Sequence, residues 1–177
     1  MITRMHLKAL AVAGALMTLP VAPAIAGSAK PTIVEAALAS QDHRTLVAAV
    51  KAADLVETLK GPGPLTVFAP TDAAFAKLPA GTVDTLLQPA NRDQLRAVLT
   101  YHVVAGKVTS GDLIGLIRAG GGEARITTVQ GGVLKARLAG NGVQITDANG
   151  GAAMVTTADL MTSNGIIHVT DAVSLPK

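Results

Sequence analysis

The chain has 177 residues, 49% of them hydrophobic but only 2% aromatic, with no cysteine and 15 Lys and Arg against 12 Asp and Glu. That length allows one domain, and without cysteine the chain must hold together by an aliphatic core alone. Two of the basic residues, Arg4 and Lys8, belong to the extreme N-terminus, the remaining charge is near balance, and rings are confined to Phe68, Phe75, Tyr101 and four histidines. A nucleic-acid surface, which needs clustered cations and stacking rings, is not indicated.

In chain order, Met1–Lys8 is basic, Ala9–Ala22 is almost wholly apolar, and Ala24-Ile25-Ala26 offers small residues at a cleavage site. This is the form of a secretory signal peptide over residues 1–26, followed by a short lead at 27–30. The apolar run is short for a membrane span and is broken by Pro20 and Pro23. No cysteine follows it, which excludes a lipid-modified anchor. The mature chain, Gly27–Lys177, is expected to be secreted or periplasmic, with no integral membrane segment.

Pro31 and Thr32 can open a helix through Leu38, and Leu46, Val47 and Val50 fall at helical spacing in a second stretch from Gln41 to Leu59 that Asp54 interrupts. Gly61-Pro62-Gly63-Pro64 ends it. A short strand over Leu65–Ala69 turns at Pro70-Thr71-Asp72 into a helix ending near Pro79, and another helical stretch runs from Thr82 to Gln88. Asn91–Tyr101 is amphipathic, with Leu95, Val98, Leu99 and His102 on one stripe and Tyr101 on its flank. Beyond Gly106 come a glycine loop at 120–122 and strands at Arg125–Val129, Val133–Leu138, Val143–Ile145 and Ala152–Thr157. Asn141-Gly142 marks a hairpin, and the final strand lies within NGIIHVTDAV, residues 164–173. Helices first and strands later indicate an α+β fold.

Candidate chemistry is thin. His168 and Asp171 look like a dyad, but three residues apart on a strand they point to opposite faces, and Thr170 shares the histidine's face. Ser110, Ser163 and Ser174 are not in a nucleophile elbow. Histidine spacing fits no metal motif, so neither a metal nor another cofactor is expected. Asp72 and Thr71 are placed to cap the helix that begins at Ala73. The residue types favour a hydrogen-bonded, structural His168 and no enzyme.

Three stretches carry a family resemblance. TVFAPTDAAFAKLP (66–79) resembles the first signature of the fasciclin, or FAS1, domain, and NGIIHVTDAVSLP (164–176) its second. TYHVVAGKV (100–108) is similar to the tyrosine-histidine segment between them, and residues 32–64 to the family's helical opening. The whole resembles a single-domain secreted bacterial member over residues 31–177. The resemblance implies a β-wedge of about seven strands with packed helices. In that fold Thr71, Asp72, Phe75, His168 and Asp171 belong to the structural motif. Departures are Leu65, where an aromatic is common, His43 for phenylalanine, Ala105 for proline and Asp54 for a helix-ending glycine.

The resemblance also implies function. The family serves in cell adhesion and matrix contact, with protein or polysaccharide partners, and the tyrosine-histidine segment is implicated in integrin binding in animal members. Tyr101 and His102 match that pair and are the candidate partner-binding residues. Some members are reported to bind carotenoid-like pigments, so the alternative is a carrier of a small apolar ligand, carotenoid- or lipid-like, in a groove between helices and wedge. Oligomeric state is not set by these residues.

Overall fold

The computed structural model describes residues 29–177. The expected signal peptide at 1–26 and positions 27–28 lie outside the described residues. Helix α1 (Ile33–Ala39) begins with a reciprocal cap: Thr32 accepts from the Glu35 N–H and Glu35 from the Thr32 N–H. The stretch expected from Gln41 to Leu59 is two helices, α2 (Arg44–Ala52) and α3 (Val56–Lys60). Between them Asp54 takes φ 57, a left-handed conformation that aspartate adopts more readily than most residues. That is the physical reason the departure from glycine is tolerated.

Strand β1 (Leu65–Pro70) leads into α4 (Asp72–Ala76), then α5 (Thr82–Leu86), a tight turn at Pro89–Asn91, and α6 (Arg92–Tyr101). The α6 stripe is buried as its spacing requires, through Leu95, Val98 and Leu99. Strand β2 (Val103–Ala105) follows at once. Only strands and loops are expected after Gly106, yet α7 (Ser110–Ala119) lies there. Gly111 and Gly115 dilute its helix propensity. It forms because Thr109 and Asp112 cap its start and because Leu113 and Ile117, one turn apart, are buried.

The remaining strands are β3 (Glu123–Thr127), β4 (Val133–Ala139), β5 (Gly142–Thr146), β6 (Ala152–Met161) and β7 (Gly165–Thr170). The β4–β5 hairpin is where Asn141-Gly142 indicated, but the turn is one residue earlier. Ala139 pairs with Gly142, so the loop is Gly140-Asn141, with Gly140 at φ 61. Glycine with positive φ at the first turn position is the II′ arrangement that matches strand twist.

All seven strands form one sheet in the order β2-β1-β7-β6-β5-β4-β3. Only the β1–β7 pair is parallel. The sheet bends along β6, whose register against β7 shifts on both sides of Thr157. Its ends nearly meet: the Val129 N–H donates to the Val103 carbonyl at 2.7 Å, bringing the segment after β3 against β2. The result is a nearly closed wedge with helices mostly in the N-terminal half, the α+β architecture expected.

Two cores flank the central strands. Ile33, Leu46, Val50 and Leu59 of the helical layer pack with Val67 and Ile167 on one face. On the other, Leu113 and Ile117 of α7 meet Phe68, Tyr101, Leu134 and Ile145. Strands β1 and β7 therefore bury both faces, which is why both read as apolar runs rather than as alternating strands. Full burial of each large aliphatic side chain contributes about 1.5–3 kcal/mol. Gly165 is required where β7 passes β1, since a Cβ there would lie 1.9 Å from the Leu65 carbonyl oxygen.

Candidate functional site

The two family-like signatures form adjacent strands. Phe68 of β1 and His168 of β7 are register partners, and their rings stack with centroids 5.5 Å apart. His168 has no exposed surface. Its Nδ1 accepts from the Asp159 N–H at 3.3 Å, which makes Nε2 the protonated nitrogen, and Nε2 donates to the Val108 carbonyl at 2.8 Å. Both nitrogens are committed to the backbone. Asp171 is not its partner: Asp171 Oδ1 accepts from the Met154 N–H at 2.8 Å, and Oδ2 pairs with Lys77 at 3.3 Å. The Met154 bond, with Lys77 and against some burial, lowers the Asp171 pKa.

Ser110, Asp159 and His168 do come together, and their bonding is not that of a nucleophilic triad. The Ser110 hydroxyl donates to the Asp159 carboxylate, and the histidine touches the Asp159 backbone instead of the serine. Asp159 also accepts from the Ser110 N–H at 2.8 Å, at the first turn of α7. Burial works to raise its pKa, but the Ser110 bonds outweigh it and the net shift is downward. The cluster therefore ties α7 to β6 and β7. Asp159, held at φ 59, is a central residue that pattern reading missed.

Tyr101 and His102 stand at the junction of α6 and β2, 1% and 3% exposed. The Tyr101 hydroxyl donates to the Val133 carbonyl and accepts from the Ala148 N–H, both at 3.0 Å. Burial raises its pKa against the Ala148 bond. Its ring packs so closely on Gly132 that a Cβ there would lie 2.4 Å from Cε2. His102 Nε2 accepts from the Ser174 N–H at 3.0 Å, so the proton is on Nδ1, which donates to the Val98 carbonyl at 2.7 Å. Burial lowers its pKa, opposed by the Val98 bond and by Asp147. In this arrangement neither side chain has a free polar atom to offer a partner.

Thr71 caps α4, its Oγ1 accepting from the Ala74 N–H at 3.2 Å, while Phe75 enters the helical-layer core. Asp72 caps a different helix from the one its position indicates. Its Oδ1 accepts from the Thr45 N–H of α2 at 2.8 Å, where the N-cap residue His43 supplies no side-chain bond. Burial works to raise the Asp72 pKa, but bonds from Thr45 and Arg44 and the charge of His43 bring it below the ordinary value. Asn164, also missed, accepts from the Ile33 N–H at 3.0 Å and donates to the Leu59 carbonyl at 2.7 Å. It joins both ends of the helical layer to β7.

Between α1, α2 and α3 and the β1–β7 face lies a cavity of about 370 Å³. Its walls include Val34, Leu46, Val50, Leu55, Val67 and Ile167, and among the described residues no carboxylate lines it. Its lining includes residues that meet solvent: Leu38 and Val129, exposed by 50% and 49%, and the exposed Lys51 and Lys60. His102 reaches its wall with both nitrogens already bonded. Among the described residues no cluster of three potential metal ligands occurs, and no helix is long and apolar enough to cross a membrane.

The profile of the Fasciclin domain matches residues 41–176. This chain belongs to the fasciclin family. It is 49% identical to protein sll1483 of Synechocystis sp. over 82% of this chain and 73% of that one. Immunogenic protein MPB70 of Mycobacterium bovis is 34% identical over 89% of this chain and 69% of its own. Transforming growth factor-beta-induced protein ig-h3 of Sus scrofa is 32% identical over 82% of this chain, which corresponds to 19% of that larger protein. Among solved structures, a FAS1 domain pair from the insect cell adhesion molecule Fasciclin I superposes with TM-score 0.56 and 20% identity, over 71% of this chain and 42% of the other. That last likeness concerns the fold.

Proposed function

We propose that residues 31–177, freed of the signal at 1–26, form an exported, non-enzymatic binding module whose site is the apolar cavity. One observation carries this reading: a cavity of about 370 Å³, aliphatic on nearly every side, whose lining includes the half-exposed Leu38 and Val129. That is the size and character of a small-molecule pocket. A carotenoid- or lipid-like molecule would be held by removal of its apolar surface from water. The non-enzymatic reading is supported by the bonding of His168, His102 and Ser110, whose polar atoms are engaged in holding the fold. The protein is proposed to reside in the periplasm or outside the cell.

The test is native mass spectrometry, with a visible spectrum, on mature protein taken from its own host. Added mass that is lost when Val50→Trp fills the cavity is the expected result. Bare mass, with no uptake of any apolar probe by the purified protein, would overturn the carrier reading.

A second reading is favoured by the relatives: a module that meets a protein or polysaccharide at a cell surface or matrix. Cell surface glycolipoprotein MPB83 of Mycobacterium bovis is 32% identical over 86% of this chain and 64% of its own. In this reading Tyr101 and His102 act from within, by bracing the α6–β2 junction that a partner would meet. Beads coated with mature protein should then bind cells or matrix above beads coated with a scrambled-sequence control.

A further inference from the structure

We infer that the cavity's occupant is an amphiphile with an anionic head, of the long-chain carboxylate class, rather than a neutral hydrocarbon; this rests on the cavity reading above. Among the described residues the two charged side chains in the lining are both lysines, Lys51 and Lys60, and no aspartate or glutamate joins them. A lysine in the last turn of a helix is explained by the helix dipole alone, and both occupy such positions. The dipole does not explain why both also line one cavity from which acids are missing.

Their pairing leaves them available. Lys51 forms no ion pair among the described residues, and Lys60 has only Glu57 within pairing distance, at 4.0 Å with the Glu57 side chain 87% exposed, while Glu35 lies farther off and feels its charge. Such an exposed contact is weak and easily exchanged. Lysine suits the task because its stem lies along apolar wall while its ammonium stays in water. An acyl chain would fill the aliphatic interior. Its carboxylate, too costly to bury, would stay at the water-facing boundary beside the ammonium groups. Thr58, also in the lining, adds a hydroxyl that can donate to it, whereas the Thr100 hydroxyl is spent on the Arg96 carbonyl. A fully apolar ligand would gain nothing from either lysine.

The experiment uses the mature protein and the neutral dye N-phenyl-1-naphthylamine, which brightens in apolar sites. Laurate and dodecanol, both below micellar concentration, compete for it. In Lys51→Gln/Lys60→Gln the laurate dissociation constant should rise on the order of tenfold, two exposed charge contacts being lost. Dodecanol should change by less than about twofold, since it makes no charge contact. In wild type, raising salt to about 0.5 M should weaken laurate alone, because screening acts on the charge contacts. Both lysines are exposed, so the double variant should melt as wild type does. No dye uptake in wild type would overturn the cavity reading itself. Dye uptake with laurate and dodecanol unchanged, or weakened equally, would overturn the anionic-head inference and leave the cavity standing. Co-sedimentation with phosphatidylglycerol vesicles but no displacement by monomeric laurate would also overturn it, by assigning the lysines to a membrane surface.

Discussion

Replacing Tyr101 by phenylalanine separates a brace from a contact residue. The ring stays, so packing against Gly132 is kept and only the hydroxyl is lost. That hydroxyl serves two backbone groups, donating to the Val133 carbonyl and accepting from the Ala148 N–H, each at 3.0 Å. Both bonds are part-buried, and each is worth about 0.5–1.5 kcal/mol net. The expected loss is about 2 kcal/mol, a fall in Tm of about 4–8 °C for a domain of this size. Urea unfolding followed by far-ultraviolet circular dichroism is the suitable assay, because the variant lacks the only tyrosine and the chain has no tryptophan. The urea midpoint should drop with the slope unchanged. A loss below about 0.5 kcal/mol would refute the brace, since the net worth of even one ordinary hydrogen bond reaches that value. A contact residue would instead leave stability intact and weaken binding.

His168→Ala should cost about 3–5 kcal/mol, from the void beside Phe68 and from orphaning the Asp159 N–H and Val108 carbonyl; a melting curve within about 2 °C of wild type would contradict this. His102 introduces a pH dependence. Its folded pKa is lowered by burial, so its stabilising contribution is full above the ordinary histidine value of about 6.5 and is lost as pH falls below that toward the folded value. Stability of His102→Gln should therefore fall less between about pH 6.5 and pH 5 than that of wild type, as read by urea midpoints. Asp72→Ala should destabilise by about 1 kcal/mol by uncapping α2, with faster hydrogen exchange at the Thr45 amide as its local signature. Because the Asp72 pKa is lowered in the fold, its contribution is present above about pH 4 and lost as pH falls further, so the variant's acid limb should be shallower.

Much of the fold was legible because local signals and burial agree. The α6 stripe, the β4–β5 hairpin and the apolar run of β7 each state their structure in a few residues. The α7 helix was not legible from propensity, because Gly111 and Gly115 hide it; the Thr109-x-x-Asp112 cap followed by Leu113 and Ile117 was the available signal. The separation of His168 from Asp171 followed from strand alternation. The true partners of His168 could not be read, since they are backbone groups delivered by a bulged strand and a distant loop. Asp72 shows the same limit. Its residue type announces a cap, but which helix it serves depends on how α2 packs beside α4, a tertiary fact. The absence of acids from the cavity lining is likewise invisible along the chain, where Glu57 sits among the lining residues in sequence but not in space.

The parallel seat of β7 has a consequence for the order in which the molecule comes into being. Leu65 pairs with Gly165 and Pro70 with Thr170, so the last of the seven strands in chain order occupies an interior place in the sheet. Until it arrives, β1 and β6 both present open edges, and the helical layer lacks the Asn164 bonds that join its two ends. Contacts so far apart in sequence carry a large loop-closure cost before they return any energy. The fold therefore remains an incomplete, threadable polymer until β7 is added, and that strand acts as the latch that commits it to a closed shape.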